Sequence, residues 1–184
     1  MRVPALLTLF ALLSAAPASA DELTVSVSAS VWKNVVTFNP LALVFGAVNL
    51  EYERAVTDAV SVFVGPGIVA FDVYGLDDDT SLFAAGLNAG ARIFLSGTAP
   101  RGLWLSPSVG AAYVNVEGAN DAEATVVGLD ASLLFGHTWI WKNGFALSLG
   151  IGAGYHDLSA DVGGDRIGMR GPTVNGRLGI GYAF

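Results

Sequence analysis

Between Phe145 and Tyr155 the chain alternates without a break. Phe145, Leu147, Leu149, Ile151, Ala153 and Tyr155 are apolar, and the residues between them, Ala146, Ser148, Gly150, Gly152 and Gly154, are small or polar. Successive side chains of a β-strand point to opposite faces, so one face of this run suits lipid and the other a crowded, tapered interior. The last stretch repeats the pattern: Val174, Leu178, Ile180, Tyr182 and Phe184 lie on one face, and Thr173, Asn175, Arg177, Gly179 and Gly181 on the other. Runs of about 10 to 13 residues fit a tilted membrane crossing better than the usual strand of about five or six.

Composition points the same way. The 184 residues are 53% hydrophobic and 14% charged, with 23 glycines, whereas typical soluble domains carry about 25% charged residues. A membrane helix needs about 20 consecutive apolar residues. The longest charge-free stretch after the N-terminal segment, Asn34 to Leu50, is broken by Pro40, Gly46 and three asparagines. A chain this apolar without an apolar helix is expected to cross a membrane with strands, as a closed barrel that leaves no backbone group unpaired. Its length suits one domain. There is no cysteine, which excludes disulfides and thiolate chemistry. The net charge is −7 and the nine Lys and Arg are scattered singly, which argues against nucleic-acid binding.

At the N-terminus, Met1 and Arg2 precede an apolar run from Ala5 to Ala16, and Ala18-Ser19-Ala20 offers a small-residue cleavage site before Asp21. This pattern predicts a secretory signal peptide over residues 1–20 and a single barrel domain over 21–184, the alternative being an N-terminal anchor or buried helix. No cysteine follows the site, so a lipid anchor there is excluded.

Seven strands are legible: one carrying Val48, Leu50 and Tyr52; one opening with Val60, Val62 and Val64 and expected to bulge at Gly65-Pro66-Gly67; Leu82 to Leu95; Leu103 to Asn115; Thr125 to His137; and the two described above. Compact turns are expected at Thr57-Asp58, Ser96 to Gly102 and Trp141 to Gly144, where Asn143-Gly144 is a strong hairpin signal. Longer polar connections are expected at Gly75 to Ser81, Glu117 to Glu123 and Asp157 to Gly171. With both termini at one rim the strand number must be even, so an eighth strand is expected within Leu23 to Phe38. The alternation of Leu23, Val25, Val27, Ala29 and Val31 would serve, and a rival runs from Val35 to Val44 across Asn39-Pro40, where proline is disfavoured. The predicted fold is therefore all-β: an eight-stranded antiparallel up-and-down transmembrane β-barrel after a cleaved signal peptide.

Parity places Glu51, Glu53, Arg92, Asp130 and Arg177 inside, among Asn49, Asn88, Ser106, Ser108, Ser132, Ser148 and Asn175. An eight-stranded barrel is only wide enough for side chains to fill it. A polar plug is expected, with Arg92 and Arg177 holding the acids and one of the three carboxylates left over; a proton or ion path is the alternative. An aromatic girdle is expected from Tyr52, Tyr113, Trp139, Trp141 and Tyr155, joined by Tyr74, Phe145, Tyr182, Phe184 and Trp104, the last with an inward orientation left open. His137, near a strand end, and His156, at the start of a long connection, show no Ser-His-acid spacing. Both read as non-catalytic. Asp77-Asp78-Asp79 reads as a solvated acidic rim rather than a built cation site.

The segment Gly46-Ala-Val-Asn-Leu-Glu-Tyr-Glu-Arg-Ala-Val-Thr-Asp58 resembles the second strand and first turn of small eight-stranded outer-membrane barrels of the OmpX and OmpA transmembrane type. With residues 39–46 ahead of it, the likeness is closer to a family of outer-membrane β-barrel domain proteins without assigned activity. In such barrels the last strand ends in an aromatic residue with apolar residues two and four positions before it; Phe184, Tyr182 and Ile180 match that assembly signal. The resemblance implies a Gram-negative outer membrane with its lipid and lipopolysaccharide as surroundings. It also implies handling by periplasmic chaperones and the barrel-assembly machinery, and it brings no cofactor or metal. The expected role is non-enzymatic, in envelope structure or loop-mediated surface contacts, with no nucleic-acid partner. The alternatives are a narrow channel, a lipid A-modifying barrel enzyme and a soluble periplasmic ligand-binding barrel. The deacylase type carries a His-x-Ser pattern, and here His137 is followed at that place by Trp139.

Overall fold

The computed structural model of the chain describes residues 32–44, 46–72, 81–118, 122–162 and 165–184. The expected signal peptide, the alternating run from Leu23 to Val31, Tyr74 and the three consecutive aspartates at 77–79 lie outside them.

Eight strands close into one antiparallel barrel in which each pairs with its neighbours in sequence. They are β1 (Asn34–Phe38), β2 (Ala47–Ala55), β3 (Val60–Asp72), β4 (Ser81–Thr98), β5 (Arg101–Gly118), β6 (Ala122–Ile140), β7 (Phe145–Val162) and β8 (Asp165–Ala183). A single turn of helix, α1 (Pro40–Val44), lies between β1 and β2. The ring is sealed where β1 meets β8, with Val36 opposite Tyr182 and Phe38 opposite Ile180. Beyond the last strand, Phe184 accepts the Asn34 amide at 2.9 Å and donates its own to the Asn34 carbonyl at 2.9 Å.

The first strand falls at the far end of the expected Leu23–Phe38 window and shares only the first half of the rival Val35–Val44. The strand that pairs with both β2 and β8 is Asn34–Phe38, which begins beyond the Leu23–Val31 run. The rival's second half is α1, because a proline at position 40 lacks the N–H a ladder needs and suits the first turn of a helix. Asn39 caps that turn, its Oδ1 accepting the Leu41 amide at 3.0 Å.

Two further expectations change. The ladder from β3 to β4 runs through Gly65, Pro66 and Gly67 with no shift of register, so the expected bulge is absent there. The register shift lies between Phe94 and Ser96, where Leu95 is the extra residue against β5. The polar segments at 117–123 and 157–171 are mostly strand: β5 and β6 pair to Gly118 and Ala122, and β7 and β8 to Val162 and Asp165. A ladder is made by backbone groups and continues where both faces are polar, so side-chain polarity did not mark where these strands end.

Alternation sorts the side chains as expected. Outward positions carry large apolar residues that stay exposed, among them Val62, Leu87, Val109, Leu133, Ile151 and Val174. Inward positions at the turn rim pack tightly. Val35, Ile140, Ala146 and Ala183 form one cluster against Trp32, and Phe94, Ala99 and Trp104 form another against Ala55 and Leu134.

Candidate functional site: an ion network beneath a polar chamber

Above the apolar floor, four of the five interior charges meet. Glu51 and Glu53 lie two residues apart on β2 and therefore share its inner face. Arg92 reaches them from β4, its Nη2 2.7 Å from Glu51 Oε1 and its Nη1 bonded to Glu53 Oε2. Arg177 on β8 clamps Glu51 from the other side, with Nη1 2.5 Å from Oε2 and Nη2 2.7 Å from Oε1. Ser61 Oγ donates to Glu53, and Thr37 Oγ1 accepts from Arg177 at 3.2 Å. Arg92 is almost fully buried, with its guanidinium 4.6 Å from the centre of the Phe63 ring and 5.1 Å from that of Trp104. Charges removed from water need this density of partners, because each alone would cost several kcal/mol.

Trp104 belongs to this interior and not to a girdle. It is fully buried, and its Nε1 donates to Thr138 Oγ1 at 2.9 Å, which in turn donates to Ser148 Oγ at 3.1 Å. The reason is space. The indole crosses its cross-strand neighbour Gly136 and the next glycine along that row, Gly150, where a Cβ would collide with the ring. The same device recurs: Phe63 lies over Gly90, Asn88 over Gly65, Asn49 over Gly67, Asp130 over Gly110 and Asn175 over Gly154. In so narrow a barrel a long inward side chain has room only where its neighbour has none.

Towards the long connections the interior opens into a chamber of about 510 Å³. Its wall includes Asn49, Asn88, Ser108, Asp130, Ser132 and Asn175, and its floor is formed by Glu51, Arg92, Trp104 and Arg177. Ser108 and Ser132 share a hydrogen bond of 2.7 Å. Asp130 is the acid left over: no cationic side chain pairs with it among the described residues. His156 does not begin a loop. It sits on β7 opposite Asp130 in register, lines the chamber, and has its Nε2 3.5 Å from Asn175 Oδ1.

His137 lies on the other side of the wall, its ring centre 4.3 Å from that of Trp139 and its Nδ1 without a partner among the described residues. The two histidines therefore share no site. The girdle residues Tyr52, Tyr113, Trp139, Trp141 and Tyr155 are all exposed, as are Phe145, Tyr182 and Phe184. Tyrosine tips find polar partners at both ends of the barrel: Tyr52 donates to Asn34 Oδ1 at 2.9 Å, and Tyr155 accepts from Arg170 Nε at 2.8 Å.

Sequence reasoning named the charged members and missed Ser61, Thr37, Phe63 and the inward setting of His156. Ser61 was legible, since it falls between Val60, Val62 and Val64. His156 was obscured because β7 was expected to end beside it. No family model matches the chain, and comparisons with curated proteins and with solved structures returned no match.

Proposed function

We propose that the chain is an integral outer-membrane β-barrel protein, exported by a signal peptide over residues 1–20, that acts without catalysis in envelope structure or through surface contacts of its long connections. The observation that carries this reading is the outer wall. Large apolar side chains are exposed on all eight strands, whereas soluble monomers rarely expose contiguous apolar patches beyond a few hundred Å². Closure supports it as well, since a barrel satisfies its backbone within the wall and tolerates lipid. Aromatic residues mark two levels: Tyr52, Trp139, Trp141, Phe145, Tyr182 and Phe184 near the turn rim, and Phe83, Tyr113 and Tyr155 farther along. From Phe145 to Tyr155 on β7 the climb at a tilt of about 40° is about 25 Å, the height of a lipid-facing band.

Against the channel reading stands the Glu51–Arg92–Glu53–Arg177 network with Trp104 beneath it, which fills the bore. Against the lipid A-modifying reading stands the separation of His137 from His156 by the barrel wall. The surroundings proposed are outer-membrane lipid and lipopolysaccharide, with Ile180, Tyr182 and Phe184 as the signal read by the barrel-assembly machinery after periplasmic chaperones deliver the chain.

The test is gel mobility of the extracted protein before and after boiling, together with membrane fractionation. A closed membrane barrel resists SDS until heated, so a heat-dependent shift in the outer-membrane fraction is expected. A protein released by osmotic shock with no shift would overturn the reading in favour of a soluble ligand-binding barrel.

A further inference from the structure

The wall of the barrel is not uniform. Eighteen residue pairs join β7 to β8, but four join β8 to β1. Above the Phe38–Ile180 pair no strand among the described residues pairs with β8 on that side, and α1 follows β1 where the strand would have continued. Residues of α1 pack against β8, yet among the described residues no backbone hydrogen bond joins them; the loop's own bonds run to β2 and β3, from the Asn39 amide to Asn49 O at 3.0 Å and from the Ala70 amide to Gly46 O at 3.1 Å. Among the described residues, the closure here has no backbone ladder.

Both lips of this seam line the chamber: Thr37, Phe38 and Asn39 on one side, and Asn175, Gly176 and Gly179 on the other. Outside, the seam is apolar. Leu41, Leu43 and Val44 of α1 are each more than half exposed, and Val174 on β8 is 82% exposed. Inside, the chamber is polar and carries Asp130. Glu51 and Glu53 are balanced by Arg92 and Arg177, so among the described acids and arginines of the interior Asp130 is one negative charge in excess. Gly176 at the lip has open space where a side chain would project.

An apolar approach leading sideways into a polar chamber with an unpaired carboxylate matches one kind of molecule. We infer that the chamber binds the ammonium-bearing head of a membrane amphiphile, admitted between α1 and β8 with its hydrocarbon chain left outside. The head donates to Asp130, with Asn49, Asn88, Asn175 and the Ser108–Ser132 pair as neutral partners, and the volume of about 510 Å³ falls in the range of small-molecule sites. The inference rests on the membrane reading above, because the amphiphile comes from the bilayer.

The experiment uses the purified protein in detergent micelles, first shown to be a closed barrel by its heat-dependent mobility. Lysophosphatidylethanolamine is the probe, and lysophosphatidylglycerol and free ethanolamine are the controls, with native mass spectrometry as readout. The expected result is one lysophosphatidylethanolamine retained per barrel and neither control at the same concentration. Asp130→Asn should weaken retention by about tenfold or more, the effect of losing a charge-assisted hydrogen bond. Gly176→Trp, whose side chain projects into open space at the lip, should slow exchange with isotope-labelled probe while leaving the barrel folded. Equal retention of lysophosphatidylglycerol, or an unaffected Asp130→Asn variant, overturns the ammonium site. Unchanged exchange in Gly176→Trp, or ethanolamine binding as tightly as the lysolipid, overturns the lateral route in favour of a water-borne amine entering by the mouth. A protein with no mobility shift fails the membrane reading before any ligand is added.

Discussion

The half of the barrel near the short turns and the half near the long connections come from the same alternating strands, yet their interiors differ. In the first, inward positions hold Val35, Phe63, Arg92, Phe94, Trp104 and Ile140, and among the described residues both terminal nitrogens of Arg92 are bonded to carboxylates while its Nε has no partner. In the second they hold asparagine, serine, Asp130 and a run of glycines, and a chamber remains. Strand geometry is common to both, so the volume of inward side chains decides where the bore is filled. The filled half is also where charge is balanced, because ions deprived of water must pair. The hollow half can hold an unpaired acid because the chamber leaves it room for solvent or a ligand.

That contrast ranks the expected effects of substitution. Arg92→Met should be the most damaging, leaving Glu51 and Glu53 facing each other in a dry interior at a cost of about 3–5 kcal/mol; it is checked by the urea midpoint at which the heat-modifiable band disappears. If the midpoint is unmoved, the filled half does not depend on its ion network. Gly136→Val should cost about 1–3 kcal/mol, since the Trp104 ring occupies the space a side chain needs. Trp104→Phe at the same level removes the donor to Thr138 and should cost about 1 kcal/mol; its Trp fluorescence would identify the signal of the interior indole by difference. Smallest of all, Ser132→Ala in the chamber should move the same midpoint by less than about 0.5 kcal/mol, and a large loss there would show that the chamber wall is as tightly coupled as the floor.

Much of the site was legible because parity is local. Glu51 and Glu53 fall two apart, Arg92 lies opposite Phe83, Leu87 and Ile93, and Arg177 lies opposite Leu178 and Ile180, so each could be placed inside from its own neighbours. The excess of three carboxylates over two arginines predicted that one acid would be left. Which acid it would be was not legible, because that depends on how far along the bore each strand carries its residue. Trp104 shows the same limit: a tryptophan near a strand end suits an interface, and only the glycines opposite it on β6 and β7 make an inward indole possible.

By itself, then, the sequence determined the closed all-β architecture, the strand order from β2 to β8 and the face on which almost every side chain lies, since a period of two needs only adjacent residues to be read. The tertiary structure alone decided that the first strand is Asn34–Phe38, that the strands beyond Asn115 and Tyr155 continue as ladders, that Asp130 stands apart from the arginines and that, among the described residues, β8 is left without a strand partner above Ile180. Each of these is set by register and closure, which depend on backbone groups far apart in the chain finding one another, and such groups carry no mark in the side chains beside them.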